Sequence, residues 1–233
     1  MSDAADRPET RVAWPEAWRI IRSIHPPIDL FEDIADPADW EALASAEAKT
    51  NPRVAESMGR LDLVPPARRV SGPGASLMMA PFVHCSADRP GRFTDGTYGV
   101  WSAGAEEETA IREVAHHHGR AMAASAEAPG WTSQFRALVS GPLNATLRDL
   151  RQDDALHDPQ DWSAPQAIGR MLREGGADGV LYRSVRHEGG RCIGLFWPDV
   201  APVPRQADHY DMHWDGARTD RLRNRRTGKI YAL

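Results

Sequence analysis

The 233-residue sequence predicts an α+β fold with many short strands and few helices. Most apolar runs are short and end at glycine, proline or a charged residue, as is typical of strands. Only a few segments have the apolar spacing of an amphipathic helix. The N-terminal part, residues 1–66, is predicted to be a mostly helical arm closed by Val64-Pro65-Pro66, and residues 67–233 to form the main domain.

Two helices are predicted in the arm, after a polar start over residues 1–12. Residues 15–24 carry an apolar stripe, and His25-Pro26-Pro27 ends it because proline cannot continue a helix. Asp36-Pro37-Ala38-Asp39 is a typical helix start and leads into residues 40–48.

In the main domain, residues 76–84 form an apolar run that predicts a buried strand, and residues 91–96 a glycine-containing loop. Further strands are predicted at residues 97–103, 135–139, 179–182 and 191–197. Helices are predicted at residues 106–124 and 165–174. The tail, residues 209–233, predicts a hairpin or strand pair that turns at Thr227-Gly228.

Composition narrows the classes of function. The formal net charge of −5 argues against nucleic acid as the main partner. Two cysteines far apart in sequence, Cys85 and Cys192, do not make a disulfide framework, which favours a reducing cytoplasm. No segment resembles a signal peptide or a membrane span, so we expect a cytoplasmic protein with no membrane partner.

The segment 81–120 contains residue types suited to a nucleotide. Arg92 lies in a glycine-flanked loop, and the planar guanidinium of arginine can donate two parallel hydrogen bonds to a phosphate. The aromatic residues Tyr98 and Trp101 follow, and the helix after them carries Glu113. A carboxylate beside a ribose can stabilise a cationic glycosyl centre.

The segment 179–198 is the second informative one. A predicted strand ends at Ser184, which lies between Arg183 and Arg186, and a glycine pair follows. This arrangement suits a phosphate or ribose contact. Taken singly, however, these residues are more typical of structural roles: Arg92 of a loop ion pair, Glu113 of a solvated helix face and Ser184 of a turn.

Together these segments resemble the RES domain, a family named for its characteristic Arg, Glu and Ser. The resemblance covers roughly residues 75–200 and follows family order. It rests on G-R-F-T-D-G-T-Y-G-V, E-T-A-I-R-E-V-A-H-H, Q-A-I-G, G-A-D-G-V-L-Y-R-S-V-R and G-G-R-C-I-G-L-F-W-P.

The resemblance implies a fold like that of the ADP-ribosyltransferase toxins, with small antiparallel or mixed sheets and flanking helices. It implies the toxin of a type II toxin–antitoxin pair, an Xre-like antitoxin as partner, and NAD⁺ as substrate without a metal. Arg92 would bind phosphate or the nicotinamide-side ribose, Glu113 would stabilise the ribosyl cation, and Ser184 would hold substrate or orient Arg92. The expected NAD⁺ contacts also include His84, Phe93, Tyr98, Trp101, Ser102 and Arg186.

The acceptor of the ADP-ribose stays open. Water or phosphate would deplete NAD⁺ by hydrolysis or phosphorolysis, whereas a protein side chain, such as one on an enzyme of nucleotide metabolism, would be ADP-ribosylated. An oligomer within the antitoxin complex is also expected.

The sequence departs from the family pattern beside the expected nicotinamide site. Ser102 stands where many members have tyrosine, so Tyr98 or Trp101 would supply the stacking surface. His84 stands where many have a first-strand arginine, and Pro165 where a serine is common. A degenerate module that binds nucleotide or partner without catalysis is therefore the alternative to an enzyme.

Three further patterns favour ordinary structural roles. Consecutive histidines, His116-His117-His118, point in different directions on a helix, so with His84 and Cys85 they do not predict a zinc site. Cys85 lacks the local signature of a nucleophile. The arginine-rich tail is typical of a solvated strand edge, although it could meet an acidic antitoxin surface.

Overall fold

The computed structural model describes residues 7–23, 39–42, 45 and 59–233, and within these ranges the α+β prediction is confirmed. The strands are β1 (Glu9–Trp14), β2 (Ala17–Arg22), β3 (Trp101–Gly104), β4 (Gly130–Ser140), β5 (Leu143–Asp149), β6 (Gly179–Arg183), β7 (Arg191–Leu195), β8 (Arg205–Trp214), β9 (Thr219–Asn224) and β10 (Ile230–Ala232). The α-helices are α1 (Ala75–Val83), α2 (Glu107–Ser125) and α3 (Ser163–Glu174). No helix in the described ranges is long and apolar enough to cross a membrane.

The ten strands form one mixed sheet in the order β1-β5-β6-β7-β3-β2-β4-β8-β9-β10. Neighbouring strands are antiparallel except for β5 and β6, which are parallel. In the middle of the sheet, β2 and β3 share a single register pair, Trp18 with Gly104. The two strands therefore separate beyond this pair, and the sheet opens there.

Each helix covers its own apolar cluster on the sheet. Met78, Met79 and Phe82 of α1 pack with β1, β3, β5 and β7. Ile168 and Leu172 of α3 belong to a second cluster. A third cluster lies beneath α2 and includes its Ala110 and Ile111. Beside the opening, Trp101 of β3 belongs to the α1 cluster, whereas Ile20 of β2 belongs to the α2 cluster.

The helix predicted at residues 15–24 is wrong. Residues in this part of the chain form β1 and β2, with a bend at Pro15 between them. Along β1, Val12 and Trp14 are buried while Arg11 and Ala13 are exposed, which is the two-residue period of a strand. Pairing of β2 with both β3 and β4 outweighs its short helical stripe.

The second predicted arm helix, residues 40–48, falls mostly outside the described residues. Residues 39–42 are helical, and Trp40 is fully buried in the cluster that contains α1. Since β1 pairs with β5 and β2 with β4, the N-terminal strands belong to the same sheet as the main domain.

The strand predicted at residues 76–84 is also wrong, because this run is helix α1. A continuous apolar run fits a buried helix as well as a buried strand. Gly74, with φ of 84°, precedes the helix in the left-handed region.

The other elements follow the prediction more closely. Helices α2 and α3 are confirmed, β4 is longer than predicted, and β5 was not predicted. The tail forms β8, β9 and β10, with the turn at Thr227-Gly228 between the last two.

Candidate active site

A cavity of about 600 Å³ opens where β2 and β3 separate. Its walls come from β2, the end of α1, the loop before β3, β3 itself and one face of α2. This volume lies within the usual range for small-molecule sites. The cavity is therefore large enough for a ligand of nucleotide size.

Glu113 and Ser184 meet at the wall of this cavity. The Ser184 hydroxyl donates a hydrogen bond of 2.5 Å to Oε1 of Glu113. The same oxygen of Ser184 accepts hydrogen bonds from the backbone N–H groups of Arg186 and His187, at 3.1 and 3.0 Å. Glu113 lines the cavity, whereas Ser184 is 9% exposed and holds the carboxylate from behind.

A second link joins α2 to the turn that carries Ser184. Oγ1 of Thr109, which is fully buried, lies 2.9 Å from Nδ1 of His187. Thr109 and Glu113 are four residues apart on α2 and so lie on the same face of the helix. Together the two hydrogen bonds fix the position of the Ser184 turn relative to α2.

Arg92 and Arg186 are anchored by adjacent residues of one loop. Nη1 of Arg92 donates to the carbonyl oxygens of Leu156 and Asp158, at 3.1 and 2.8 Å. Nη2 of Arg186 donates to the carbonyl oxygen of Pro159 at 2.5 Å. Backbone carbonyls orient the two guanidinium groups without neutralising their charge, so both remain available to an anion.

Trp162 follows that loop and contacts a further arginine, Arg120. The guanidinium carbons of Arg92 and Arg120 each lie 5.9 Å from the centre of its ring, a cation–π distance. Arg120 reaches the site from α2, whereas Arg92 reaches it from the loop before β3. Neither Trp162 nor Arg120 was predicted, because no local sequence pattern connects them with Arg92.

The loop that presents Arg92 is held by its own polar groups. Oγ1 of Thr94 donates to the carbonyl of Tyr98 at 2.5 Å, and the Tyr98 hydroxyl donates to the carbonyl of Phe93 at 2.6 Å. Gly96 has φ of 90°, and a Cβ there would lie 2.1 Å from the carbonyl oxygen of Ser86. Phe93 and Tyr98 border the cavity but are 2% and 4% exposed, so they mainly shape its wall.

Trp101 does not fit the stacking role predicted for it. Its side chain is fully buried in the cluster that contains α1 and lies outside the cavity lining. The next residue on β3, Ser102, does line the cavity, because successive side chains of a strand point to opposite faces.

His84 was predicted on a strand, but a basic cavity residue that does lie on a strand is Arg19. Arg19 lies in β2, lines the cavity, and its Nη1 donates to the carbonyl oxygen of Ser102 at 2.8 Å. Burial lowers the pKa of Arg19 to about 10, so the group stays charged at neutral pH. His84 follows the last residue of helix α1 and is exposed at the cavity edge.

The consecutive histidines diverge as expected for a helix. His118 is buried, with Nδ1 2.8 Å from Oγ1 of Thr219, whereas His117 packs against Trp162. Burial, followed by the charge of Arg186, lowers the pKa of His116 to about 4. The described residues contain no group of three or more side chains that could hold a metal ion.

Neither cysteine is an activated nucleophile. Burial raises the pKa of the half-buried Cys85 thiol, and it raises the pKa of the buried Cys192 thiol further. The neutral thiol is therefore favoured at both positions.

The cavity is strongly cationic in a chain that is acidic overall. Its charged lining consists of Glu113 and five arginines: Arg19, Arg22, Arg89, Arg92 and Arg186. Among the described residues, none of these arginines forms an ion pair with a carboxylate, although most arginines elsewhere do, such as Arg68 with Asp178. Uncompensated arginines in a concave site favour an anionic ligand.

The family model of the RES domain matches residues 66–215. The chain belongs to the RES domain family. The match contains Arg92, Glu113 and Ser184, whereas Arg19 precedes it.

Two proteins match this RES domain chain over most of their length. The uncharacterized protein y4oC of Sinorhizobium fredii (strain NBRC 101917 / NGR234) is 29% identical over 212 residues, which cover 89% of this chain and 86% of that protein. The crystal structure of the M. tuberculosis MbcT–MbcA toxin–antitoxin complex contains a chain 12% identical to this one. The superposition has a TM-score of 0.43 and covers 89% and 88% of the two chains.

Proposed function

We propose that this RES domain protein cleaves NAD⁺ at the bond between nicotinamide and ribose. The observation that carries the proposal is Glu113, the one carboxylate that lines the cavity in the described part of the chain. Ser184 holds it in place, and five arginines that have no ion-pair partner among the described residues line the same cavity. A single fixed carboxylate in a cationic, concave site suits a substrate whose phosphates are anionic and whose reacting ribose becomes cationic.

In this reaction the bond between C1′ of the ribose and the nicotinamide nitrogen breaks. Its electron pair stays with the nitrogen, so nicotinamide leaves as a neutral molecule and C1′ becomes cationic. The Glu113 carboxylate stabilises that charge. Water or phosphate then forms a bond to C1′ and loses a proton to solvent, which completes the transfer.

The remaining residues bind and orient the substrate. Arg92 and Arg186 donate hydrogen bonds to the pyrophosphate, which arginine can contact with two N–H groups at once. Ser184 acts as a positioning residue, because its hydroxyl contacts Glu113 rather than Arg92. Phe93 and Tyr98 form an apolar part of the wall, and Ser102, Arg19 and His84 also line the cavity.

The RES domain supports a toxin role, with an Xre-like antitoxin as its partner, because the family resemblance implies both. Depletion of NAD⁺ by hydrolysis or phosphorolysis would then arrest growth. Transfer of ADP-ribose to a protein target remains the second outcome of the same chemistry, since it differs only in the acceptor.

The direct test is nicotinamide release from NAD⁺ by the purified full chain, with and without phosphate. We expect release by the wild-type protein and at least a 100-fold slower rate for Glu113→Gln, a loss typical of a group that stabilises transition-state charge. Arg112→Gln, on the same helix but paired with Glu108, is the matched control and should keep its rate.

Equal release by wild type and Glu113→Gln would refute the role of Glu113. Absence of release under every condition, including added cell extract, would favour the non-catalytic module instead. Labelled NAD⁺ incubated with lysate separates the acceptors, because only transfer to a protein gives a labelled protein band.

A further inference from the structure

Arg120 is a charged residue of the site to which NAD⁺ cleavage assigns no task. It lies on α2 seven residues after Glu113, which corresponds to two helical turns and about 10 Å along the axis. Its guanidinium group lies beside the Trp162 ring and has no carboxylate partner among the described residues. Arg120 is thus on the same helix face as Glu113 but well beyond the expected point of cleavage.

The position of Arg120 continues a cationic surface that starts nearer to Glu113. Arg186 and Arg92 are anchored at Pro159 and Asp158, and Trp162 follows within four residues of Asp158. Three guanidinium groups from three separate parts of the chain therefore collect along residues 156–162. Like charges held together without carboxylates repel one another, so an anion that bridges them stabilises the arrangement.

The positive charge of the site exceeds the negative charge that NAD⁺ carries. Five arginines line the cavity and Arg120 lies beside it, whereas Glu113 is the sole carboxylate of the described lining. A pyrophosphate bridge carries two negative charges, and the nicotinamide ring adds one positive charge. A ligand with an additional phosphate matches the charge of the site better.

We propose that the site prefers a dinucleotide with a third phosphate, NADP⁺, and that Arg120 beside Trp162 binds the phosphate on the adenosine ribose. This inference rests on the proposed cleavage at Glu113, because that reaction places the nicotinamide end there. The pyrophosphate then meets Arg92 and Arg186, and the adenosine end extends along α2 towards Arg120. Arginine suits this role because it keeps its charge and donates to two phosphate oxygens.

The test measures equilibrium binding by calorimetry in the full-length Glu113→Gln protein, which leaves the dinucleotide intact. We expect NADP⁺ to bind about tenfold more tightly than NAD⁺, as one hydrogen-bonded contact between charged groups allows. Adding Arg120→Gln should remove this preference by weakening NADP⁺ about tenfold and NAD⁺ less than about threefold. Arg120→Lys keeps the charge and should retain part of the preference.

Arg112→Gln in the same background is the matched control and should leave the ratio of the two affinities unchanged. Arg120 is exposed, so its substitution leaves the core intact, and circular dichroism checks the fold. The proposal is overturned if NAD⁺ binds as tightly as NADP⁺, or if Arg120→Gln weakens both equally.

Adding excess inorganic phosphate shows whether Arg120 binds a free anion or the ribose phosphate of NADP⁺. If phosphate raised the affinity for NAD⁺ to that for NADP⁺ through Arg120, the subsite would belong to a free anion and the proposal would fail. Failure of the cleavage proposal has another signature, namely that wild-type protein releases no nicotinamide from either dinucleotide.

Discussion

The link between Thr109 and His187 provides a sharp test of how Glu113 is positioned. Thr109→Val keeps the shape of the side chain and removes the hydroxyl that lies 2.9 Å from Nδ1 of His187. Because Thr109 is fully buried, the lost hydrogen bond should lower the free energy of unfolding by about 1–2 kcal/mol. Of the two hydrogen bonds described between the Ser184 turn and α2, the Ser184–Glu113 bond would then remain.

The rate of nicotinamide release should fall by more than the loss in free energy of unfolding alone would cause. A misplacement of 1 Å can cost roughly 100-fold in rate, and the remaining Ser184–Glu113 bond limits the shift. We therefore expect kcat for nicotinamide release to fall about tenfold with little change in KM, because the positioning of Glu113 affects the transition state rather than substrate binding.

Thr109→Ser is the matched control. It keeps the hydroxyl and removes a methyl group that packs near Gly104, where a Cβ would lie 3.1 Å from Cγ2 of Thr109. This loss should cost about 1 kcal/mol, similar to the valine variant. We expect the serine variant to keep kcat within about twofold, since its hydroxyl can still bond His187. Equal losses of kcat in the two variants, or full activity in Thr109→Val, would refute the positioning argument.

Three more predictions follow from single contacts. Ser184→Ala should lower nicotinamide release about tenfold or more, because Glu113 and two backbone N–H groups lose a partner; an unchanged rate would exclude the positioning role. The folded-state pKa of His116, about 4, lies below its usual value near 6.5, so stability should be complete above about pH 6.5 and decline as the pH falls towards 4. His116→Gln should flatten that decline in thermal unfolding, and an equal slope in both proteins would contradict it. Gly96→Ala should unfold at a lower denaturant concentration than Gly228→Ala, since both glycines have positive φ but only Gly96 has a carbonyl 2.1 Å from the added Cβ; equal midpoints would oppose this reasoning.

Local sequence patterns predicted the elements that carry the central residues. The helix with Glu113 and the strand that ends just before Ser184 are found where periodicity and glycines predicted them. The motif order brought Arg92, Glu113 and Ser184 together as candidates, and the structure places Arg92 and Glu113 in the lining of one cavity with Ser184 behind Glu113. These features depend on residues within one turn, one helix or one motif.

Where two conformations fit the same pattern, the sequence prediction failed. Residues 77–83 are apolar throughout, and only their packing against β1, β3 and β5 makes them a helix. Residues 17–22 have a short helical stripe, but pairing with β3 and β4 makes them a strand. Long-range partners decided both cases.

The sequence by itself determined the α+β class, the family and the Arg, Glu and Ser around which the site is built. Only the tertiary structure revealed Arg19, Arg120 and Trp162 as neighbours of that site. Their side chains come from β2, α2 and the loop before α3, and nothing in the local sequence distinguishes an arginine that faces a cavity from one paired with an aspartate. The opening between β2 and β3 depends on a single register pair, and that pairing joins residues more than eighty positions apart.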